Sequence, residues 1–248
     1  MTTIILSPHF DDAALSCGGW IADARRRGEE VVVWTICTGL PVDDDFSPLA
    51  VEYHGHWALS PGEVIDTRTK EDLAAMQLLD VPYRHFGIAD GLYRKHPRTD
   101  EHLYPDEEGL LGSIHPGDAD LVRLLALQLA NALPGGEVIL VSPLTVGNHV
   151  DHQLVRAAAE NLPVPLWYYP DYPYTRKYPY AAPSLAPAGY KPEVSPVSDP
   201  ALVIWQDSIA AYASQISSFW PSLDEMRAEI AQLRRENQGI VFWKPPAR

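Results

Sequence analysis

Continuous apolar runs alternate along this chain with segments whose apolar residues recur about every 3.6 positions. Runs rich in β-branched residues are typical of strands that are buried on both faces, and the recurring pattern is typical of helices packed by one face. Strands are predicted for TTIILS (2–7), EEVVVWTICT (29–38), YRHFG (83–87), EVILVSP (137–143), VPLWYY (164–169) and ALVIWQ (201–206). Helices are predicted for 12–28, 65–80, 119–136 and 149–162, with two more between about 207 and 236.

Regular alternation of strands and helices predicts an α/β fold: a Rossmann-like, doubly wound, mostly parallel sheet flanked by helices. We expect a single domain over residues 1–248, with a Rossmann-like core in 1–169. Residues 170–248 form a Pro/Tyr-rich flap followed by C-terminal helices. Eight prolines lie within 170–200, and seven of the twelve tyrosines lie between Tyr168 and Tyr190, which is too aromatic for a disordered linker.

Composition excludes several classes of protein. With 46% hydrophobic residues in 248, the chain can bury a large core. A formal net charge of −14 argues against nucleic acid or an anionic membrane as the partner. The sequence shows no signal peptide and no apolar run long enough to span a bilayer, so we expect a soluble, cytoplasmic protein. The two cysteines form no CxxC pair, so any metal ligands are His, Asp or Glu.

Two polar clusters follow predicted strands at the start of predicted helices. The stretch SPHFDDAALSCGG contains His9, Asp11 and Asp12, and the stretch NHVDHQ contains His149, Asp151 and His152. In an open parallel sheet, ligands bind outside the carboxyl ends of the strands, so both clusters are candidates for one shared site. Two histidines and one carboxylate satisfy the ligand count of a catalytic zinc ion and leave one acid to act as a base.

Purely structural roles also explain parts of this pattern. An aspartate pair at a helix start is often a cap that interacts with the helix dipole. Asn148 could likewise cap the following helix with Asp151 in its first turn. The combination of two such clusters, each after a buried strand and with complementary ligand types, favours the metal site.

These motifs resemble those of a known family. PHFDDAALSCGG is similar to the (A/S)HPDDExxxxGG signature, and HVDH to the HxDH signature, of the LmbE-like or PIG-L family of zinc-dependent de-N-acetylases. TRTKEDLAAMQLLDV, FGIADG and YASQI resemble further family segments in the same order, so the resemblance spans about residues 2–218. The family includes deacetylases of N-acetylglucosaminyl-phosphatidylinositol and of mycothiol and bacillithiol synthesis.

The resemblance implies a role for each matching residue. His9, Asp12 and His152 match the zinc ligands, and Asp11 matches the general base. His149 matches the histidine that, when protonated, stabilises the oxyanion, and Asp151 is expected to orient a histidine. Zn²⁺, one per chain, is the implied cofactor, with iron, manganese and nickel left open.

Arg68 and Asp90 match positions that contact polar groups of the substrate in the family. The alternative for Arg68 is a surface ion pair with Glu71 or Asp72. Three positions depart from the family pattern, Phe10, Ala13 and Asp80, and none of them removes a ligand or the base.

The implied reaction removes acetate from an N-acetylated sugar or its small-molecule conjugate. Tyrosines of the flap together with Trp57, Trp167 or Trp205 could stack on sugar rings. A metallohydrolase of another amide or ester, and a non-catalytic metal-binding or carbohydrate-binding protein, remain as alternatives. The sequence leaves open whether the chain forms a homo-oligomer.

Overall fold

A twisted sheet of seven strands forms the centre of the computed structural model, which describes residues 1–41 and 43–246. The last two residues of the predicted C-terminal segment therefore lie outside the described residues. The strands are β1 Thr2–Ser7, β2 Glu30–Thr35, β3 Tyr83–His85, β4 Val138–Pro143, β5 Leu166–Tyr169, β6 Lys191–Ser195 and β7 Ile240–Lys244. Their order is β3-β2-β1-β4-β5-β7-β6; β1 to β5 are parallel, and β7 is antiparallel to β5 and β6. This order confirms the predicted α/β fold class.

Helices cover both faces of the sheet because successive strand residues point to opposite sides. In β1, Ile5 packs toward one group of helices, and Ile4 and Leu6 pack toward the other. The helices are α1 Asp12–Arg26, α2 Pro48–Trp57, α3 Pro61–Leu78, α4 Glu107–Leu110, α5 Ala119–Ala132, α6 Val150–Ala159, α7 Tyr174–Lys177, α8 Ala182–Leu185, α9 Asp199–Ala210, α10 Ala213–Phe219 and α11 Leu223–Asn237. Residues of α1, α3, α9 and α11 pack on the face of Ile5, and residues of α5 and α6 pack on the opposite face.

The predicted strand ALVIWQ was wrong, because residues 201–206 lie within helix α9. Ala201, Trp205 and Ile209 recur every four residues and are fully buried, so they form one helical face. The β-branched Val203 between them is 53% exposed, which an apolar run by itself does not reveal.

The Gly-Gly pair of α1 allows α9 to approach it closely. A Cβ atom on Gly18 would lie 2.5 Å from Cδ1 of Trp205, and one on Gly19 would lie 2.9 Å from its Cε3. The indole N–H of Trp205 donates to the carbonyl oxygen of Ala14 at 2.8 Å, so the ring is fixed against the helix backbone. In the stretch SPHFDDAALSCGG, the glycine pair at the end therefore serves packing, whereas the first half supplies the polar cluster.

Gly18→Ala is expected to lower the free energy of unfolding by roughly 1–3 kcal/mol, because the added methyl group overpacks against Trp205. Gly55→Ala is the matched control, since Gly55 lies within α2 and its Cβ position contacts nothing within 4 Å. The control is expected to be neutral or slightly stabilising, because alanine is the better helix former. Denaturant unfolding of both variants tests this, and equal stability would contradict the close packing.

The strand order reverses direction between β1 and β4, which lie side by side in the sheet. Ligands of doubly wound folds bind at such a switch point, at the carboxyl ends of the strands. The loops that follow β1 and β4 here are the ones that carry the two polar clusters. Among the described residues, no helix combines the length and the apolar character needed to cross a bilayer.

Candidate active site

The structure brings both predicted clusters together at the carboxyl ends of β1 and β4. The ring centroid of His9 lies 4.7 Å from that of His149 and 5.3 Å from that of His152. His149 and His152 come from the start of α6, which follows the loop after β4. The topology therefore accounts for the meeting of residues that are far apart in sequence.

Three of the predicted side chains converge as a metal-binding group. Ligand atoms of His9, Asp12 and His152 all lie within 4.8 Å of one another. Oδ2 of Asp12 is 3.2 Å from Nδ1 of His9 and 3.4 Å from Nε2 of His152. These are the three residues that the family resemblance implies as ligands.

Two buried carboxylates each engage one ring nitrogen of a site histidine. Asp171 is 2.6 Å from Nδ1 of His152, and Asp151 is 3.0 Å from Nε2 of His9. Each carboxylate accepts the N–H of its histidine, so in the neutral rings Nε2 of His152 and Nδ1 of His9 present lone pairs to Asp12. Nε2 of His152 is buried and has no hydrogen-bond partner among the described residues.

These residues fit a divalent cation on the chemistry of the donor set. Burial disfavours a charge on His9 and His152, but the carboxylates around them raise the pKa of both, so this group attracts positive charge. Two imidazoles and one carboxylate are ligands that zinc accepts, with a further position left for water or substrate. A second group of candidate ligands, His9, His149 and Asp151, overlaps the first one at His9.

Asp151 is held in place by a buried arginine. One of its oxygens accepts from Nη1 of Arg94, and the other accepts from the backbone N–H of Gly91 at 2.9 Å. Burial by itself would raise the pKa of Asp151, but Arg94 and the neighbouring histidines hold it well below its ordinary value. Arg94 also donates from Nε to Asp118 at 2.7 Å. An ionised Asp151 can therefore orient His9, as the sequence predicted for one histidine of the site.

Sequence reasoning missed two of these supporting residues. Asp171 lies two residues after the end of strand β5, so the rule that directed attention to the ends of β1 and β4 would have found it. Arg94 has no comparable signal, because its contacts depend on how the loop after β3 packs against α6.

Asp11 lies beside the convergent group but is not part of it. Its side chain makes no capping hydrogen bond to α1, so the alternative of a helix cap is not observed. Oδ1 of Asp11 accepts from Nη2 of Arg68 at 3.2 Å, and the side chain lines the open cavity of the site. Burial raises the pKa of Asp11, although the charge of Arg68 acts in the opposite direction.

Arg68 is only 6% exposed, and the predicted alternative of a surface ion pair is not what the structure shows. Its guanidinium carbon lies 5.5 Å from the ring centroid of Phe10 and 5.2 Å from that of Trp57. The alternative partners are occupied elsewhere: Asp72 binds His85 and Tyr212, and Glu71 binds Ser214. Nε of Arg68 is buried without a partner among the described residues.

His149 caps helix α6, a role that the sequence offered to Asn148 instead. Nδ1 of His149 accepts the backbone N–H of Asp151 at 3.1 Å, whereas the amide of Asn148 donates to the carbonyls of Leu111 and Gly112. An accepting Nδ1 leaves the ring proton on Nε2. Burial and the nearby His9 hold the pKa of His149 well below its ordinary value. This geometry favours a neutral imidazole at His149, whereas the family resemblance implies a protonated one.

Asp90 completes the set of predicted residues at the site. Its Oδ1 accepts the backbone N–H of Leu92 at 3.0 Å, and its Oδ2 lies 3.5 Å from Nε2 of His9. Asp90 lines the cavity, and burial raises its pKa.

A cavity of about 810 Å³ opens over this site. Its wall combines the loop after β1 with α2, α10 and the segment after β5, which contributes Pro173 and Tyr174. Of the three tryptophans considered for sugar stacking, Trp57 lines the cavity, whereas Trp205 is fully buried against α1 and Trp167 packs on the core. Most tyrosines of the predicted flap pack on the core or lie at the surface, and Tyr174 is the one that reaches the cavity wall.

Fold and site together define an α/β protein with a candidate metal centre at the switch point of its sheet. The PIG-L family profile, described as GlcNAc-PI de-N-acetylase, matches residues 4–162. The chain therefore belongs to the PIG-L family, which confirms the resemblance predicted from its motifs.

Individual relatives agree with this assignment. The chain is 28% identical over 185 residues to a 2'-N-acetylparomamine deacetylase of Streptomyces fradiae; the match covers 69% of this chain and 57% of that protein. Among solved structures, teicoplanin deacetylase Orf2 in its zinc-inhibited form is 29% identical, with a TM-score of 0.80 and coverage of 98% of this chain and 97% of that chain. A pseudoaglycone deacetylase is 27% identical, with a TM-score of 0.73 and coverage of 98% and 96%.

Proposed function

We propose that this chain is a zinc-dependent hydrolase that removes an N-acetyl group from an amino sugar or a small conjugate of one. One observation carries the proposal: ligand atoms of His9, Asp12 and His152 converge within 4.8 Å of one another, next to a carboxylate, Asp11, that is not part of this group. The family description and the deacetylase names of the relatives support the reaction class.

His9, Asp12 and His152 would hold the zinc ion, with Asp151 and Asp171 orienting the two histidines. When bound, zinc polarises a carbonyl group and lowers the pKa of water to about 7. The three residues come from the segment that joins β1 to α1 and from helix α6, which both adjoin the carboxyl ends of central strands.

Asp11 acts as the general base. It faces the cavity, and its ion pair with Arg68 occupies Oδ1; Oδ2 has no hydrogen-bond partner among the described residues and can take the proton of the attacking water. The raised pKa of Asp11 increases its affinity for that proton. The same carboxyl group then delivers the proton to the departing amine, which leaves acetate and a free amino group as products.

His149 stabilises the negative charge that develops on the carbonyl oxygen. Its Nδ1 is engaged by the backbone of α6, so the proton on Nε2 is the one available to the cavity that His149 lines. A neutral imidazole held in one tautomer donates a hydrogen bond without first being protonated. One such donor can contribute about 3 kcal/mol to the transition state.

The remaining polar residues suit the sugar. Arg68 and Asp90 both line the cavity and are proposed to contact hydroxyl groups of the substrate. The ring of Trp57 lies on the same wall and offers an apolar face for stacking. A volume of about 810 Å³ lies within the range of small-molecule sites.

His149→Ala is expected to lower kcat by roughly 10²-fold to 10³-fold while the zinc content stays near one per chain, because a donor is lost and a ligand is not. Steady-state kinetics and elemental analysis on the same sample measure both quantities. His149→Asn is the informative companion, since its amide can still donate and should recover part of the rate. An unchanged kcat in His149→Ala would leave His149 as a helix cap alone.

The function is tested by elemental analysis of purified protein, followed by an acetate-release assay on N-acetylated amino sugars and their conjugates. We expect one zinc ion per chain and release of acetate. A different acid released from other amides or esters would favour a metallohydrolase of another specificity. Bound zinc without any product would favour a binding protein, and absence of metal under chelator-free conditions would contradict the site.

A further inference from the structure

We propose that Arg94 is a positioning residue of the metal centre, which sets the zinc affinity by holding Asp151 and, through Asp151, the ligand His9. This inference rests on the zinc site of the proposed function and assigns a role in it to a residue outside the cavity. It follows from the hydrogen bonds, the burial and the charges of one network, which runs from the loop after β3 to the site.

Arg94 bridges two buried carboxylates that come from different elements. Its Nη1 donates to Asp151 in the first turn of α6, and its Nε donates at 2.7 Å to Asp118, directly before α5. Nη1 also donates to the carbonyl oxygen of Ala89 at 3.1 Å. The side chains of the three charged residues are at most 6% exposed. Because a guanidinium group presents its N–H groups in a rigid fork, these bonds fix both carboxylates relative to each other.

The positive charge of Arg94 has no substitute in this network. Among the described residues, Arg94 is the only lysine or arginine that pairs with Asp151 or with Asp118. The other titratable partners of Asp151 are His9 and His149, and a histidine that binds a metal ion does so as a neutral ring. Arg94 is therefore the permanent positive charge beside a fully buried carboxylate, which is costly to leave unpaired.

The opposite side of Arg94 is held as firmly. The hydroxyl of Tyr104 donates to Asp118 at 2.8 Å and accepts the backbone N–H of His115 at 2.9 Å. The guanidinium carbon of Arg94 lies 5.2 Å from the ring centroid of Tyr104. Arg94 is not among the described residues that line the cavity, so any effect it has on the site passes through Asp151.

The carboxylate of Asp151 connects Arg94 to the metal ligand. Its Oδ1 accepts from Arg94, whereas its Oδ2 accepts from Nε2 of His9 at 3.0 Å and from the backbone N–H of Gly91 at 2.9 Å. Rotation of this carboxyl group after loss of the Arg94 bond would displace the acceptor that orients the His9 ring. Partners of this kind fix a ligand histidine and raise its basicity, and their loss typically costs 10-fold to 100-fold in metal affinity.

Arg94→Met tests the inference, because methionine keeps much of the apolar stem and removes the charge and the hydrogen bonds. The zinc Kd is measured by competition with a chelator of known affinity, and near-ultraviolet circular dichroism confirms that the variant is folded. We expect the zinc Kd to rise by about tenfold or more. The visible absorption bands of the Co²⁺-substituted protein report ligand geometry, and they should shift or weaken in this variant.

A double-mutant cycle shows whether Arg94 acts through Asp151. Asp151→Asn is measured alone and combined with Arg94→Met. If the proposed route is right, the double variant loses no more zinc affinity than Asp151→Asn does alone, because the arginine has nothing left to position. Losses that add in full would overturn the route through Asp151.

A milder variant covers the case in which Arg94→Met does not fold. Asp118→Asn removes one anchor of Arg94 and leaves the pair with Asp151 intact, so no buried charge becomes unpaired. It should raise the zinc Kd by a smaller factor than Arg94→Met and alter the Co²⁺ spectrum in the same direction. An unchanged Kd and spectrum in Asp118→Asn would then overturn the inference.

Arg156→Met is the matched control on the helix that carries Asp151. Arg156 is a partly buried arginine that pairs with Glu160 and donates to the carbonyl oxygen of Leu144 at 3.0 Å. Its loss reports any general loosening of α6, and the zinc Kd and the Co²⁺ spectrum should stay those of the wild type. A control that weakens zinc binding as much as Arg94→Met does would overturn the specific role of Arg94.

The outcomes separate this inference from the proposed function. Wild-type zinc affinity and Co²⁺ spectrum in a folded Arg94→Met variant would overturn the positioning role and leave the zinc hydrolase intact. Zinc-loaded wild type that releases no acetate from the panel would overturn the proposed function, whereas the zinc affinities of the variants would still decide the role of Arg94. Wild-type protein that binds no zinc would overturn both.

Discussion

Asp11→Asn is expected to lower kcat by about 10³-fold while the protein keeps one zinc ion per chain. Asparagine has nearly the same shape as aspartate but cannot accept the proton of water. Asp11 lies outside the group of convergent ligands, so its loss should leave metal binding unchanged. A loss of rate without a loss of metal is the behaviour of a general base.

Asp12→Asn is the matched control, because it makes the same chemical change at the adjacent position. Asp12 provides the carboxylate oxygen that faces both ligand histidines, so this variant should lose zinc together with activity. Zinc content, kcat and the melting temperature are measured for both proteins. If Asp11→Asn loses zinc, Asp11 is a ligand; if it keeps a normal kcat, the base is another group.

The fold was largely predictable because parallel strands are buried on both faces and produce uninterrupted apolar runs. The strands β1, β2 and β4 all lie within the predicted segments. The same logic failed at residues 201–206, where the apolar run belongs to a helix that buries only some of its residues. An apolar run of this length fits either a strand or a helix. Here Ala201 and Trp205 lie four residues apart and are both buried, which is the spacing of one helical face.

The candidate metal ligands could be predicted, whereas the groups that orient them could be predicted only in part. His9, Asp12 and His152 follow strand ends and carry a recognisable pattern. The partner of His152 is Asp171. Asp171 follows a strand that the sequence predicts, but the residues after that strand were not considered as part of the site. Arg94 reaches Asp151 through the packing of a loop, and no local pattern encodes such a contact.

The cavity wall combines segments inside and outside the region that the family profile matches. Tyr174 and Gln215 lie beyond residue 162, where the family match ends, and both line the cavity. Glu52 and Glu107 lie within the matched region, in the long segments that follow β2 and β3. The candidate metal ligands thus follow strand ends, while much of the cavity wall comes from longer segments between the strands, where binding residues are common in α/β folds.

His152→Ala is expected to reduce bound zinc from one ion per chain to almost none and to abolish turnover. His152 is fully buried, and its Nε2 is directed at Asp12 without any other partner among the described residues, so nothing nearby can replace it. Removal of one of three protein ligands leaves too few to hold the ion. Elemental analysis after dialysis in chelator-free buffer measures the zinc content, and acetate release measures turnover.

Two further variants make this result specific to the metal. His54→Ala removes another buried histidine, one that is bonded to Tyr93 rather than to the convergent group, and it should keep its zinc. Asp171→Asn leaves the ligand in place but removes the carboxylate that orients it, so zinc affinity should fall by about 10-fold to 100-fold rather than vanish. Full zinc occupancy in His152→Ala would contradict the ligand set. His152 would then be a buried residue that bonds to Asp171 and does not bind the metal.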